Sequence, residues 1–421
     1  MKKLVSVIIA LCLSIASVAC CIGCNDRDEK PFVDTSNAAE CGAFDRPDYA
    51  KEMELAHDAE REHIEIPEGA ETVEINGEEY IPVDSLLSID NGDGKNYILT
   101  CDQSLTGSSP LGGKFSTFRG KLNGNNYKIK GTVQTAIIHM IEDGEIFNLV
   151  LSSDLKYTDS RRPAILVNYA LNSKIYNIVN YSNSGSELSG IVLCLINSYI
   201  GNCENYADLH NSGIVAEARG TSKIIECKNY GNLSDMGKYV GGIVGYIFDD
   251  KLYPTSKEPM RACVIVEKCV NYGNIIGNYN VGGIVGYFYQ NGSTYGDKFT
   301  PQEPDRYLSQ SIIRDCQNYG NIYRDKNKRN YELTPIDITE ISCFGGIAGV
   351  FPNIENCTNQ GNIYGFEAVN PKWQVGYVGG ITGAAVSVEN CENTGTVDCS
   401  DHVRFTDDIC GYYIKTNEVI L

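Results

Sequence analysis

Hydrophobic and polar residues alternate with a period of two along much of the chain beyond residue 96. In the stretch 227–233, one parity holds Cys227, Asn229, Gly231 and Leu233. Such alternation predicts a β-strand, because successive side chains leave opposite faces of a strand. Asparagine and glycine interrupt the pattern every few residues and supply the left-handed backbone of sharp bends. The strands must therefore be short.

The strand pattern forms one half of a repeat. Its first half, [Ile/Val]-x-x-Cys-x-Asn, recurs with its cysteine at Cys203, Cys227, Cys269, Cys316, Cys357 and Cys391. An earlier copy, residues 175–180, has Ile178 in place of cysteine. The second half, [Val/Phe]-Gly-Gly-Ile-x-Gly, recurs at residues 240–245, 281–286, 344–349 and 378–383. Internal repeats of this kind decide the architecture before any other feature.

The repeat spacing predicts a solenoid. Successive cysteines from 203 to 391 lie 24, 42, 47, 41 and 34 residues apart, so the shortest spacing is the bare unit and the others carry insertions. Solenoids accept insertions as loops between coils, and stacked coils place equivalent residues about 4.8 Å apart. We predict an all-β chain folded as a right-handed parallel β-helix, with a small N-terminal helix and hairpin cap.

Two of the repeated residues are predicted to stack inside the solenoid. An unsatisfied buried asparagine amide costs roughly 1–3 kcal/mol, which a ladder of asparagine-to-asparagine hydrogen bonds would avoid. The six repeated cysteines are predicted to be reduced, because a spacing of about 4.8 Å exceeds what a disulfide prefers. A line of thiols is also not the tetrahedron that zinc needs, so no metal site is predicted there. Bridges stay open for Cys41, Cys101, Cys194, Cys263, Cys343, Cys399 and Cys410.

The second half of the repeat resembles a known family. Residues 242–245, 283–286, 346–349 and 380–383 match the Gly-large-x-Gly pattern of bacterial surface proteins with GLUG-motif repeats. Residues 95–102 and 118–131 also look like that family's lead-in, with Asn123 and Asn126 where aspartate and glycine are usual. The resemblance covers residues 84–411. It implies a β-helix at the cell surface and implies no ligand, cofactor or chemistry.

Composition limits the kinds of partner that the chain is expected to bind. The chain has 421 residues and a formal net charge of −19, which argues against binding to nucleic acid or to anionic lipid. The charge is explained by solubility, with calcium binding as the alternative. One long domain at residues 96–411 is the prediction, since a solenoid grows by addition.

The N-terminus resembles a secretory signal. Two lysines precede an apolar run that ends near residue 19, and Cys20 and Cys24 each follow a small residue as in a lipoprotein signal. We expect a lipoprotein-type signal peptide at residues 1–24, with lipid attached at Cys20 or Cys24. Ordinary cleavage to a secreted protein is the alternative. Residues 25–45 are predicted to be a flexible tether.

Residues 46–95 are predicted to cap the first coil. A helix is expected over residues 48–63, with a thin apolar stripe that includes Met53 and Leu55, followed by a hairpin around Asn76-Gly77. His57 and His63 flank acidic residues in no usual zinc spacing, so an exposed helix face is favoured. Residues 90–94 are read as a tight turn rather than a calcium loop.

Inward residues of the coils follow from the same patterns. They are predicted to be Ile98, Leu122, Ile129, Ile146, Ile165, Ile191 and Ile214. Residues 412–421 are predicted to form a last strand or a small C-terminal cap.

Four insertions are the places to look for function. Residues 247–262 and 288–311 follow a Gly-Gly-Ile motif, whereas residues 323–342 and 364–376 precede one, so the two groups should lie on different edges. The candidate ligand-binding residues are Tyr253, Tyr289, Tyr295, Asp297, Arg306, Tyr307 and Trp373. The alternative is that these aromatic residues pin long loops to the solenoid.

Three functions stay open. The preferred hypothesis is a non-enzymatic adhesion or binding protein for an extracellular glycan or a surface protein, held to the membrane by its lipid alone. The second is a carbohydrate-active β-helix enzyme, a polysaccharide lyase or glycosidase. Such an enzyme needs paired carboxylates, or calcium-binding acids with a basic proton acceptor. Asp249 with Asp297 is the carboxylate pair that the sequence offers, and no catalytic residue is assigned. The third is a passive spacer.

Overall fold

The computed structural model describes most of the chain beyond residue 48. The described residues are 49–58, 60–89, 94–107, 117–158, 164–182, 188–234, 239–249, 263–290, 309–324, 342–364, 375–399 and 403–414. All of them belong to one compact unit, Phe44–Leu421. The expected signal peptide, the tether, both candidate lipid-attachment cysteines and the turn at residues 90–93 lie outside the described residues.

The N-terminal part contains a helix and a hairpin, as predicted. Its elements are α1 (Tyr49–Asp58), β1 (Val73–Ile75), β2 (Glu78–Val83), a short 3-10 helix (Leu86–Ser88) and β3 (Asn96–Leu99). Asn76 and Gly77 at the hairpin turn have φ angles of 53° and 81°, the left-handed backbone that asparagine and glycine tolerate. Strand β2 also pairs in parallel with β3, so the hairpin covers the edge of the first coil.

Helix α1 differs from its prediction in length and in its buried side. It ends at Asp58 instead of residue 63, and Leu55 is 64% exposed. The buried residue is Glu54, whose carboxylate accepts the backbone N–H of Ser153 at 2.8 Å and lies 3.1 Å from Lys128 Nζ. An apolar stripe could not reveal this orientation, because a charged residue carries the contact.

The rest of the described chain is almost entirely β. The strands form three sheets of 28, 5 and 4 strands within the described residues, consistent with a parallel β-helix. The first coils contain β4 (Gln103–Gly107), β5 (Thr117–Phe118), β6 (Lys121–Asn123) and β7 (Lys128–Val133).

Later coils place their strands in five rows, in which each strand pairs in parallel with its copy in the next coil. Row 1 holds β8 (Ile138–Glu142), β10 (Val167–Leu171), β12 (Val192–Ile196), β15 (Val215–Arg219), β20 (Val244–Asp249), β25 (Val285–Gln290), β30 (Ala348–Glu355), β34 (Thr382–Glu389) and β37 (Cys410–Tyr413). Row 2 holds β9 (Glu145–Tyr157), β11 (Lys174–Asn180), β13 (Tyr199–Gly201), β16 (Lys223–Ile225), β21 (Ile265–Glu267) and β26 (Ile312–Arg314). Strands β30 and β34 continue from row 1 into row 2.

The short rows complete each coil. Row 3 holds β14 (Glu204–Asn205), β17 (Lys228–Asn229), β22 (Val270–Asn271), β27 (Gln317–Asn318), β31 (Thr358–Asn359) and β35 (Glu392–Asn393). Row 4 holds β18 (Leu233–Ser234), β23 (Ile275–Gly277), β28 (Ile322–Arg324) and β32 (Ile363–Tyr364). Row 5 holds β19 (Tyr239–Gly241), β24 (Asn280–Gly282), β29 (Ser342–Gly345), β33 (Val375–Gly379) and β36 (Val403–Asp407).

The predicted asparagine ladder is present. Asn229 and Asn271 are aligned in register, and Asn229 Nδ2 donates to Asn271 Oδ1 at 2.8 Å. The same bond links each neighbouring pair from Asn180 to Asn393, at 2.6–2.8 Å. Beyond the last rung, Asn393 donates to Asp408 Oδ1 at 2.7 Å, so a carboxylate ends the ladder. The asparagines are therefore structural.

Close backbone contacts explain one repeated glycine. A Cβ at Gly273 would lie 1.7 Å from the carbonyl oxygen of Gly231 in the preceding coil. The left-handed bends accept more residue types than the predicted asparagine and glycine. The residue before each repeated cysteine has a φ near 50°, yet Glu226, Lys268 and Asp315 occupy that position as well as asparagine.

Most predicted inward residues are buried in the main core, including Leu122, Ile129 and Ile146. The inward direction predicted for Ile98 was wrong. Tyr97 is aligned with Leu122, and Ile98 packs on the opposite face against Tyr80. The hairpin covers that outer face, so Ile98 is buried although it does not point into the main core. Ile165, Ile191 and Ile214 are buried in the main core, as predicted, and Leu166 is the residue aligned with Ile191.

Candidate ligand-binding corner

The Gly-Gly-Ile-x-Gly motif makes a tight bend from row 5 into row 1. A Cβ on Gly241 would lie 2.0 Å from the carbonyl oxygen of Val244, and one on Gly286 would lie 2.7 Å from the backbone of Val240. No side chain fits between the two backbones there. The bend turns the outer faces of the two rows toward each other, since Tyr239 and Tyr246 on either side of it have ring centroids 5.4 Å apart.

Aromatic side chains fill this re-entrant angle. We name it the aromatic corner and define its best-described part by Tyr239, Tyr246, Phe248, Tyr287 and Tyr289. Tyr239 stacks on Tyr287 with centroids 4.7 Å apart, and Phe248 stacks on Tyr289 at the same distance. Tyr287 is buried, whereas Tyr246 and Tyr289 are half-buried. The corner is thus an aromatic cluster in the angle between rows 1 and 5, separate from the main core, and its half-buried rings reach the surface.

A carboxylate lies at the side of the corner. Glu217 accepts a hydrogen bond from the hydroxyl of Tyr246 at 2.5 Å, pairs with Arg219 and lies 3.7 Å from Cys194 Sγ. The guanidinium of Arg219 lies 4.7 Å from the ring centroid of Phe248, as in a cation–π contact. The charge of Glu217 is therefore balanced inside the protein.

The Cys194 thiol and the Tyr246 phenol beside Glu217 stay neutral. Burial, and after it the charge of Glu217, raises the pKa of the Cys194 thiol and of the Tyr246 phenol far above their ordinary values. A neutral thiol is a weak nucleophile, and Tyr246 serves as a hydrogen-bond donor. These polar groups are engaged with one another, and they include no activated nucleophile.

The first group of insertions begins at one rim of the corner. The two insertions leave from Asp249 and Gln290, which are paired at the ends of β20 and β25. They return to the solenoid at Ile265 and Ile312, which are also paired. The two loops therefore emerge side by side from the far end of row 1, as predicted for equal positions in successive coils.

The second group ends at the opposite rim. Its insertions leave from the paired residues Tyr323 and Tyr364 and return at Cys343 and Tyr377, which are paired in row 5. Row 5 forms the other wall of the corner. The two groups thus lie on different edges, as predicted, and these edges flank the aromatic corner.

Of the predicted ligand-binding residues, Tyr289 is described, and it lies in the corner against Phe248. The others lie outside the described residues: Tyr253, Tyr295, Asp297, Arg306, Tyr307 and Trp373. The proposed carboxylate pair of Asp249 and Asp297 also has no described side chains. Sequence reasoning missed Tyr239, Tyr246 and Tyr287, although their positions just before and just after a glycine motif offered a signal.

A second aromatic group lies on the outer face of row 3. The tyrosine column consists of Tyr181, Tyr206, Tyr230, Tyr272 and Tyr319. Successive ring centroids are 4.5–5.1 Å apart with planes within 19° of parallel. Helix α1 covers its first rungs, and exposure rises to 38% at Tyr319.

The two histidines of the N-terminal segment are engaged within the protein. His57 Nδ1 lies 2.6 Å from the hydroxyl of Tyr181, and His63 stacks on Tyr127 at 4.2 Å beyond the end of the helix. The prediction of an exposed helix face was therefore wrong for His57, which is half-buried, whereas His63 is exposed as predicted but lies beyond the end of the helix. Their role is to fasten the N-terminal segment to the solenoid.

In the described part of the chain, no group of three or more histidine, cysteine or acidic side chains is placed to hold a metal ion. None of the helices described there is long and apolar enough to cross a membrane. Comparison with known proteins gives no match to a family model, to a curated protein or to a solved structure.

Proposed function

We propose that this β-helix protein binds a ligand at the cell surface, an extracellular glycan or a surface protein, without catalysing a reaction. One observation supports the proposal above the others: two groups of long insertions start from opposite sides of one angle between two rows that is lined by aromatic rings. Concave sites with many aromatic and few polar groups are typical of ligand binding. Tyrosine rings bury a large area at little conformational cost.

The location rests on the sequence. The proposed route is secretion by the signal peptide, followed by anchoring through lipid at Cys20 or Cys24, with cleavage to a secreted form as the alternative. We also propose that the chain is a divergent relative of GLUG-motif surface proteins. Its net charge of −19 disfavours nucleic acid as the partner.

The enzyme hypothesis gains no support from the corner. A glycosidase needs one carboxylic acid and one unpaired carboxylate on either side of a sugar. The carboxylate found there, Glu217, is already bound by Arg219 and Tyr246. The binding hypothesis needs no such pair, and the spacer hypothesis does not explain why both sets of insertions flank the aromatic rings.

A glycan array tests the proposal, with the purified chain compared with loop-replacement variants. The connection Gly220-Thr221 joins row 1 to row 2 in a coil without an insertion, so it can replace residues 249–263 and 290–310. We expect the full chain to bind a subset of glycans and each replacement to weaken that binding at least tenfold. Tyr319→Ala, outside the corner, should leave it unchanged.

Two other results would decide against binding. An empty array, together with unchanged attachment of cells that carry the replaced loops, would contradict it and favour the spacer. Release of reducing ends or unsaturated sugars from a polysaccharide panel would instead establish the enzyme.

A further inference from the structure

The six repeated cysteines form a straight column of thiols inside the solenoid. Their neighbours are aligned without shifts, so each cysteine lies directly above its copy, from Cys203 to Cys391. None of the six is bridged. Five are buried, and Cys391 at the last coil is half-buried.

All the sulfur atoms point the same way. Each Sγ lies 3.1–3.4 Å from the carbonyl oxygen two residues earlier in its own coil. In the last four coils, the backbone N–H of one cysteine also donates to the Sγ of the next, at 3.4–3.5 Å. The sulfurs therefore follow one another along the solenoid axis at the strand spacing.

That spacing matches a particular coordination geometry. Neighbouring strands are about 4.7–4.9 Å apart, and a metal–thiolate bond is roughly 2.3 Å long. Two such bonds in a line span about 4.6 Å. The geometry that excludes tetrahedral zinc thus suits a soft cation with two opposite sulfur ligands, and thiolates select copper(I)-like ions.

Packing alone does not require sulfur at this position. The first copy of the repeat has Ile178 there, fully buried and aligned with the column. An aliphatic side chain is therefore accepted in the same place.

The last pair of the column is the accessible one. No described strand covers Cys391, whereas Cys357 below it is fully buried. The backbone N–H of Cys357 donates to Cys391 Sγ at 3.4 Å, which holds the two thiols together on neighbouring coils.

We propose that Cys357 and Cys391 form a two-coordinate site for a soft monovalent cation, copper(I) or silver(I). The cation displaces the protons of both thiols: two S–H groups and M⁺ give S–M–S⁻ and two released H⁺. No oxidation or reduction takes place. The site goes beyond the proposed ligand binding and does not depend on it.

Silver(I) is the probe, because it neither oxidises nor reduces thiols under these conditions. The full chain would be loaded with silver nitrate, passed through gel filtration with free methionine as a weak competitor, and its metal content measured. Cys391→Ser is the test variant. Cys399→Ser is the matched control, since Cys399 is also a half-buried thiol of the last coil but lies outside the column.

We expect the wild-type chain and Cys399→Ser to retain one silver ion per chain more than Cys391→Ser. X-ray absorption of that ion should show two sulfur neighbours in a line. Circular dichroism checks that each variant keeps its strands. Cys357→Ser should lose the same silver ion as Cys391→Ser.

Equal silver content in Cys391→Ser and the control would overturn the site. Three or more ligands around the additional ion would do the same, as would retention of Zn²⁺ by the same pair. A failure here would leave the binding function of the aromatic corner untouched, because the two use different residues and different readouts.

Discussion

The aromatic corner and the tyrosine column are built from the same type of residue but differ in surroundings. The rings of the column come from one row, lie nearly parallel and stack on each other, and helix α1 covers their first rungs. The rings of the corner come from two rows that face each other, with insertions starting at both rims. Stacking within one row satisfies the rings locally. Where two rows face each other, the half-buried rings reach the surface between the two sets of insertions, and we propose that a ligand binds there.

The comparison assigns a stabilising role to the column, and the proposed function assigns recognition to the corner. Four perturbations test these two assignments, in order of decreasing expected effect.

Removing a covered rung of the column should have the largest effect. Tyr206 is 5% exposed and stacks between Tyr181 and Tyr230. Loss of a large buried aromatic side chain leaves a cavity, so Tyr206→Ala should lower the free energy of unfolding by about 3–5 kcal/mol. Urea denaturation measures it. Ligand binding by the folded fraction should be unchanged, and a binding loss without destabilisation would reverse the assignment.

Docking of α1 on the column should depend on pH. Burial raises the pKa of Glu54, but hydrogen bonds from Ser153, Ser152 and Lys128 outweigh it and hold the pKa below the ordinary value of 4.5. A lowered pKa in the folded state means that the contribution is complete above pH 4.5 and is lost as the pH falls through the folded value.

Hydrogen exchange of the backbone amides of α1 between pH 7 and pH 3 would follow this loss. The protection relative to an unstructured peptide should fall at the acidic end. In Glu54→Gln the protection at pH 7 should already be lower than in the wild-type chain, by about 1–3 kcal/mol in opening free energy. It should then change little with pH. The same pH dependence in the variant would show that another group controls the docking.

Removing an aromatic ring from the corner should weaken binding rather than stability. Tyr289 is half-buried and stacks on Phe248 beside the exit of an insertion. Tyr289→Ala should raise the Kd of a glycan found on the array about tenfold, a loss of about 1.4 kcal/mol. Calorimetry with the purified glycan measures it. An unchanged Kd would mean that the ring only supports the loop.

The smallest effect is expected at the exposed end of the column. Tyr319 is 38% exposed and contacts the preceding ring on one side. Tyr319→Ala should cost only about 0.5 kcal/mol of stability and leave the Kd unchanged. A loss of binding comparable with that of Tyr289→Ala would extend the recognition surface to the column.

The repeat determined what could be predicted about the fold. The asparagine follows the cysteine by two residues in every copy, so once the coils stack, the register of both columns follows from the sequence. The orientation of α1 did not, because Glu54 is buried through partners on distant coils and its charge hides that from an apolar pattern. Ile98 was assigned to the wrong face for a related reason, since the hairpin buries an outer face that periodicity alone leaves open.

The site was harder to predict than the fold. The edges of the insertions follow from their place in the repeat. Whether those edges face each other depends on the bend at the glycine motif, where Gly241 and Gly286 let two backbones touch. Repeat spacing contains no bend angle, so Tyr239 and Tyr246 could be assigned to strands but not to a common corner.

Hydroxyl-radical footprinting read out by mass spectrometry tests the central claim most directly, since it reports the solvent access of each tyrosine with and without the tightest-binding glycan of the array. We expect the glycan to lower the labelling of Tyr239, Tyr246 and Tyr289 and to leave Tyr272 and Tyr319 as they are. Protection of Tyr272 and Tyr319 with an unprotected corner would contradict the account.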